Sequence, residues 1–129
     1  MNIFDLDGVL VNLDKAIEEY KGLENVPPEV WFDLEEYPWT QDFVPYIDFV
    51  CTAPWDDLSC AGKSAWIRTH LGLEKNQWMI CRSKWIIARS DRLLIDDHDK
   101  NCTRFVGAGG RAFLFDETRV EELLRRLRG

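Results

Sequence analysis

The chain predicts an α/β fold, a mostly parallel three-layer sheet with helices on both faces and a minimal or absent cap. Three observations carry that expectation. Short apolar runs alternate with helix-like segments along the chain. Most of these runs are followed at once by carboxylate, hydroxyl or basic side chains, as expected where a parallel sheet presents its carboxyl edge to a ligand. And 129 residues suffice for one core but not for two, so residues 1–129 are expected to form a single domain.

Taken in order, Asn2–Phe4 is a short apolar strand that ends at Asp5. Asp14–Tyr20 reads as helical, and the stretch "NVPPEVWFDLEEYPW" after it is rich in proline, acid and aromatic residues. About residues 12–45 therefore form a short insertion between the first two strands, either a small lid beside the active edge or a packed crossover. Tyr46–Cys51 is the second strand, stopped by Thr52-Ala53-Pro54. Lys63–Leu71 reads as a helix closed by Gly72, Gln77–Cys81 as a third strand and Arg92–Ile95 as a fourth. Lys100–Val106 is a helix before Gly107, and Ala112–Phe115 the fifth strand. In the last segment Val120, Leu123, Leu124 and Leu127 follow helical spacing, with Arg125, Arg126 and Arg128 near the negative end of the helix dipole.

Charge is unevenly spread. Residues 1–60 carry 14 acidic and 2 basic side chains, and residues 61–129 carry 9 acidic and 14 basic ones. The acidic front half argues against a nucleic-acid polymer as partner, because phosphate backbones call for basic surface. No apolar run approaches the roughly 18 residues that span a bilayer, and Met1 leads straight into a strand with no basic leader-like segment. A cytoplasmic protein with no membrane partner is expected. Cys51, Cys60, Cys81 and Cys102 lie far apart, without the paired spacing of a zinc site, and read as reduced thiols.

The chemistry concentrates in "FDLDGVL". Residues two apart in an extended chain point the same way, roughly 6.6 Å apart, so Asp5 and Asp7 project into one site. Two neighbouring carboxylates raise each other's pKa unless a cation holds them ionised, and Mg2+ prefers hard oxygen ligands with phosphate. A phosphoryl-transfer site also needs a nucleophile, an acid/base and fixed positive charge. Thr52 and the backbone amides after it are candidates for a phosphate oxygen, Lys84 for the positive charge, and Asp96 or Asp97 for completing a metal shell.

"FDLDGVL", Thr52 after a strand, Lys84 and "LLIDDHDKN" together resemble the four motifs of the haloacid dehalogenase (HAD) superfamily of phosphotransferases, and the resemblance spans nearly the whole chain. "FVCTAP", "GKSAWIRTHLG", "CRSKW" and "LLIDDHDKN" look most like its 5'(3')-deoxyribonucleotidase branch, whereas residues 12–45 are much shorter than that family's helical cap. The resemblance implies a Rossmann-like fold and a Mg2+-dependent phosphomonoesterase acting on nucleoside monophosphates. In that scheme Asp5 attacks phosphorus and Asp7 serves as acid and then base. Mg2+ is held by Asp5, the Asp7 carbonyl and one or both of Asp96 and Asp97. Thr52, the Ala53 amide and Lys84 bind the phosphoryl group, and Arg82 touches the substrate. A nucleic-acid 3'-phosphate end or a phosphosugar is the alternative substrate, and a catalytically silent phospho-ligand binder the third reading. A homodimer is one way to close a site that lacks a cap. Asp99 and Asn101 are expected to cap the helix that follows them, and His98 is a loop histidine beside the site. Trp66 and Trp78 belong to the core, while Trp31, Trp39 and Trp55 are candidates for stacking on a base.

Overall fold

Residues 1–129 are described by the structure, a computed structural model. Its strands are β1 (Asn2–Phe4), β2 (Phe49–Thr52), β3 (Trp78–Ile80), β4 (Leu93–Asp96) and β5 (Arg111–Leu114). They form one sheet in the order β3-β2-β1-β4-β5, and every neighbouring pair is parallel. Helices α1 (Leu13–Tyr20), α2 (Thr40–Phe43), α3 (Asp57–Trp66), α4 (Asp99–Gly107) and α5 (Val120–Arg128) connect or flank the strands. No helix is long and apolar enough to cross a membrane.

The central strands read as continuous apolar runs because both sheet faces are covered. Ile3, Cys51 and Leu94 pack on one face with Phe105 of α4. Phe4, Val50, Leu93, Ile95 and Phe113 pack on the other with Trp66, Leu123 and Leu124 of α3 and α5. Chain order reverses between β1 and β4, since β2 and β3 lie to one side of β1 and β4 and β5 to the other. The carboxyl ends of β1 and β4 therefore flank the switch point, where such sheets bind ligands.

Two expectations shift. The second strand begins at Phe49, not Tyr46, because Val44–Tyr46 coil into a 3-10 turn and Pro45 lacks an N–H for the ladder. The helix expected from Lys63 begins at Asp57: Asp56 accepts from the Ser59 amide at 2.8 Å, and the Ser59 hydroxyl answers from the Asp56 amide at 3.0 Å. This reciprocal cap uses serine where glutamate is usual, so it does not stand out in the sequence. A π-type turn (Ile67–Leu71) then continues the helix to Gly72, which takes the left-handed conformation at φ +65°.

For residues 12–45 the sequence left a lid and a packed crossover both open, and the structure binds them into the core. Ala16, Val26, Trp31, Leu34 and Phe43 join the larger core cluster. Trp39 Nε1 donates to the Val9 carbonyl at 2.8 Å, and the Thr40 hydroxyl donates to that of Leu10 at 2.6 Å. Trp66 Nε1 reaches Leu34 O at 2.8 Å. His70 stacks on Trp66 with centroids 4.3 Å apart and hydrogen-bonds Glu36 at 2.7 Å.

Close contact of this crossover with α3 depends on Gly62. A Cβ there would lie 2.4 Å from Trp31 Cβ and 2.9 Å from the Trp31 carbonyl carbon, so backbone as well as side chain must give way. Gly62→Ala is expected to destabilise the protein. The clash costs about 1–3 kcal/mol, more than the roughly 1 kcal/mol that alanine gains over glycine in a helix. A urea melt with a midpoint at or above wild type would refute this.

Candidate active site

Asp5 is the first residue beyond β1, and its amide still donates to Ile95 O at 2.8 Å, so β4 fixes its backbone. Its carboxylate is buried, and so is Lys84, which the 3-10 turn after β3 (Lys84–Ile87) carries beneath it. Lys84 Nζ lies 2.7 Å from Asp5 Oδ1 and 2.8 Å from Asp96 Oδ2. Burial raises the pKa of Asp5 well above the usual carboxylate range; Lys84 opposes the shift, while Asp96 and Asp7 add to it. For Lys84 burial pulls downward, but Asp5 and Asp96 prevail and its pKa is raised. The ammonium is thus held charged between two carboxylates.

Asp96 is fully buried at the end of β4, and protein donors reach both of its oxygens. The His98 amide is 2.9 Å from Oδ1, and Asn101 Nδ2 is 3.1 Å from Oδ2. Asp97, next along, stays partly exposed. Burial raises its pKa, with His98 and Asp5 opposing and Asp96 reinforcing the shift. Gly8 makes room for it: a Cβ there would sit 2.0 Å from Asp97 Oδ2, and the local φ of +81° suits glycine alone.

Asp7 sits in the tight loop after β1, where the amides of Val9, Leu10 and Val11 all turn back to Leu6 O. Its Oδ2 accepts from Lys63 Nζ, while Oδ1 is buried and has no hydrogen-bond partner. Asp5 and Asp7 line one cavity of about 280 Å3 together with Ala53, Arg82, Lys84, His98 and Asn101.

Ligand oxygens or nitrogens of Asp5, Asp96, Asp97 and His98 all lie within 4.8 Å of one another. Asp5, Asp7, Asp96 and Asp97 stand against the ammonium groups of Lys63 and Lys84. With all of them ionised, and Arg82 counted from the same cavity wall, negative charge is still in surplus, which favours a cation there. The donor set is mostly hard oxygen, and Asp97, not yet saturated by protein donors, is best placed to turn toward an ion. Cys51 and Cys102 are poor nucleophiles, because burial pushes both up to about 12 and so keeps them protonated at neutral pH.

Comparison with protein-family models and with curated proteins finds no match.

Five of the residues singled out from sequence meet in the cavity wall: Asp5, Asp7, Ala53, Arg82 and Lys84. Asp96 lies behind them, reached through Lys84. Thr52, expected on the phosphate, is fully buried outside the cavity wall, and its hydroxyl accepts from Lys63 Nζ at 3.0 Å. Asp97 borders an adjoining cavity of about 480 Å3 that also meets Gly8, Tyr37 and Trp39. Asn101 does not cap α4. Its amide is drawn to the buried Asp96 carboxylate, and His98, at the cap position, makes no side-chain cap bond. Asp99 is the first residue inside that helix. His98 itself reaches the cavity wall, with Nδ1 3.1 Å from Asp97 Oδ1.

Of the tryptophans, Trp66 is core, and Trp78 packs against the core from a partly exposed position. Trp31 is buried against Gly62, and Trp39 stacks on Tyr37 with centroids 4.6 Å apart. Only Trp55 of the three stacking candidates is freely exposed, and its carbonyl lies 3.4 Å from Arg82. Lys63 escaped the sequence reading, although a signal existed. It stands three and four residues before Trp66 and Ile67 on the buried side of the helix, and a lysine there requires an anionic partner.

Proposed function

We propose that this protein is a Mg2+-dependent phosphomonoesterase of the haloacid dehalogenase type, related to the 5'(3')-deoxyribonucleotidases and acting on nucleoside monophosphates. One observation carries the reading. Asp5, buried and paired to Lys84, and Asp7 open together into a single cavity at the switch point of a parallel sheet.

In this reaction the carboxylate oxygen of Asp5 that Lys84 does not hold attacks phosphorus, and the bond from phosphorus to the ester oxygen breaks. Asp7 gives its proton to that departing oxygen, releasing the nucleoside as an alcohol. Water then attacks the phosphorus of the aspartyl-phosphate and yields its proton to Asp7. The bond to Asp5 breaks, leaving inorganic phosphate and a free carboxylate. Lys84, the Ala53 amide and Arg82 surround the phosphoryl oxygens, where fixed positive charge lowers the barrier most. Mg2+ would be held by Asp5, the Asp7 carbonyl and Asp97, with Asp96 behind them, and would neutralise charge on the phosphoryl group.

A panel of nucleoside 5'- and 3'-monophosphates, assayed for phosphate release with Mg2+ and with EDTA, tests the proposal. Turnover of at least one nucleotide is expected, lost in EDTA and recovered on adding Mg2+. Turnover confined to a 3'-phosphorylated oligonucleotide or a phosphosugar would select the second reading. One observation favours that reading: residues 12–45 are bound into the core, leaving Arg82 and His98 exposed at the cavity and accessible to a bulky ester. Phosphate release from none of these esters would remove the phosphatase altogether.

A further inference from the structure

Lys84 is one of two buried lysines at this site, and the other has no place in the reaction just described. Lys63 is 2% exposed, buried as deeply as Lys84. Its ammonium is fully engaged by one carboxylate and two neutral acceptors: Asp7 Oδ2, Thr52 Oγ1 at 3.0 Å and Ala53 O at 2.8 Å. The Trp31 ring closes over it, with its centroid 5.8 Å from Nζ.

Burying an ammonium this completely is costly, and the cost is offset only when geometry and partners are nearly ideal. An ordinary exposed lysine would pair with Asp7 loosely. This one is held by three acceptors at once, and through it Asp7 Oδ2 is tied to Thr52 and to the Ala53 carbonyl. Lys63 does not line the cavity, and its three protons are committed, so it is not a phosphate ligand. Asp7, in contrast, stands on a loop that lacks the strand ladder fixing Asp5, and its other oxygen meets no protein donor.

We infer that Lys63 is a positioning residue: from α3 it fixes the Asp7 carboxylate where it exchanges protons with the ester oxygen and with water. It acts through Asp7 and touches no substrate. The inference rests on the phosphatase reading. It adds that the acid/base is aimed by a residue outside the four motifs, and that the Thr52 hydroxyl serves the same clamp.

Leaving-group dependence separates positioning from mere structure. The value of kcat/KM reports every step up to release of the leaving group. An alkyl ester needs a proton at that point, whereas p-nitrophenyl phosphate leaves without one. Lys63→Met is expected to lower kcat/KM for the best nucleoside monophosphate by about 100-fold, as for a misaimed proton donor. For p-nitrophenyl phosphate the loss is expected to stay under about 10-fold, with KM little changed for either ester. In an Asp7→Asn background, Lys63→Met should change the alkyl ester rate by less than about 3-fold, because the residue it positions is gone. Lys63→Arg, which keeps a charged donor for Asp7, should recover part of the loss, and it carries the same two-ester comparison should Lys63→Met not fold.

Equal losses for both esters, or an undiminished effect of Lys63→Met in the Asp7→Asn background, would overturn the inference while leaving the phosphatase reading intact. A wild-type protein that hydrolyses neither ester would remove the phosphatase reading and the inference with it.

Discussion

Replacing Asp5 by asparagine is expected to lower phosphate release by about 10^4-fold or more, while the variant melts at or above the wild-type temperature. On the proposed mechanism the loss of activity follows from chemistry: a carboxamide does not form the covalent intermediate, and removing a nucleophile is among the largest single losses an enzyme shows. The stability half follows from charge. Asp5 and Asp96 share one lysine, so this buried trio carries one negative charge too many when all are ionised. Burial raises the pKa of Asp5 well above its ordinary value, and Asp96 adds to that shift, so ionised Asp5 is costly to the fold. Asparagine leaves Lys84 and Asp96 as a balanced pair, as active-site substitutions that relieve stored electrostatic cost often do. Retained turnover would show that another group attacks phosphorus, and a fall in melting temperature would show that Asp5 serves the fold.

The opposite deletion should have the opposite balance. Lys84→Met removes the one cation between Asp5 and Asp96 and leaves two buried carboxylates facing each other. Breaking a buried pair from one side costs about 3–5 kcal/mol, and the melting temperature should fall on the order of 10 °C or more. The pH dependence has a definite sign. In the folded state the Asp5 pKa lies above its ordinary value of 3.8 because of burial, and the loss of Lys84, which lowers it, raises it further. A carboxyl with a raised folded-state pKa destabilises most when ionised, above that pKa. The gap between Lys84→Met and wild type should therefore be widest there and close as pH falls through it toward 3.8. Mg2+ should also raise the melting temperature of the variant by neutralising the two unpaired carboxylates. Thermal melts across pH, with and without Mg2+, check both points; an equal gap at all pH values would mean Lys84 contributes packing and not charge.

These two residues also show how far sequence carried the site. Asp5 was readable because a carboxylate directly after an apolar strand demands a compensating cation. Lys84 and Asp96 were readable because each follows another such strand, and a parallel sheet brings strand ends to one edge. Strand ends brought to one edge set which residues are neighbours, but not how they pair there. That Lys84 bridges Asp5 to Asp96, that Asn101 turns from capping to Asp96, and that Thr52 faces Lys63 and not the cavity are all outcomes of packing.

Residues 12–45 mark the other boundary. Their proline, acid and aromatic content gave no single period to read, and both lid and packed crossover fitted it. Trp31 decided the matter by seating on Gly62, a contact between residues far apart in sequence. Lys63, the next residue on α3, meets Asp7 from the same buried side of that helix.

The sequence by itself determined the α/β alternation, the parallel sheet and the carboxylates at its edge. These follow from local periodicity and from the cost of burying charge, which each short segment carries within itself. The tertiary structure alone decided which lysine meets which carboxylate, which aromatics remain free and where the crossover lies. Those depend on distances between segments remote in the chain, and no local pattern encodes a distance of that kind.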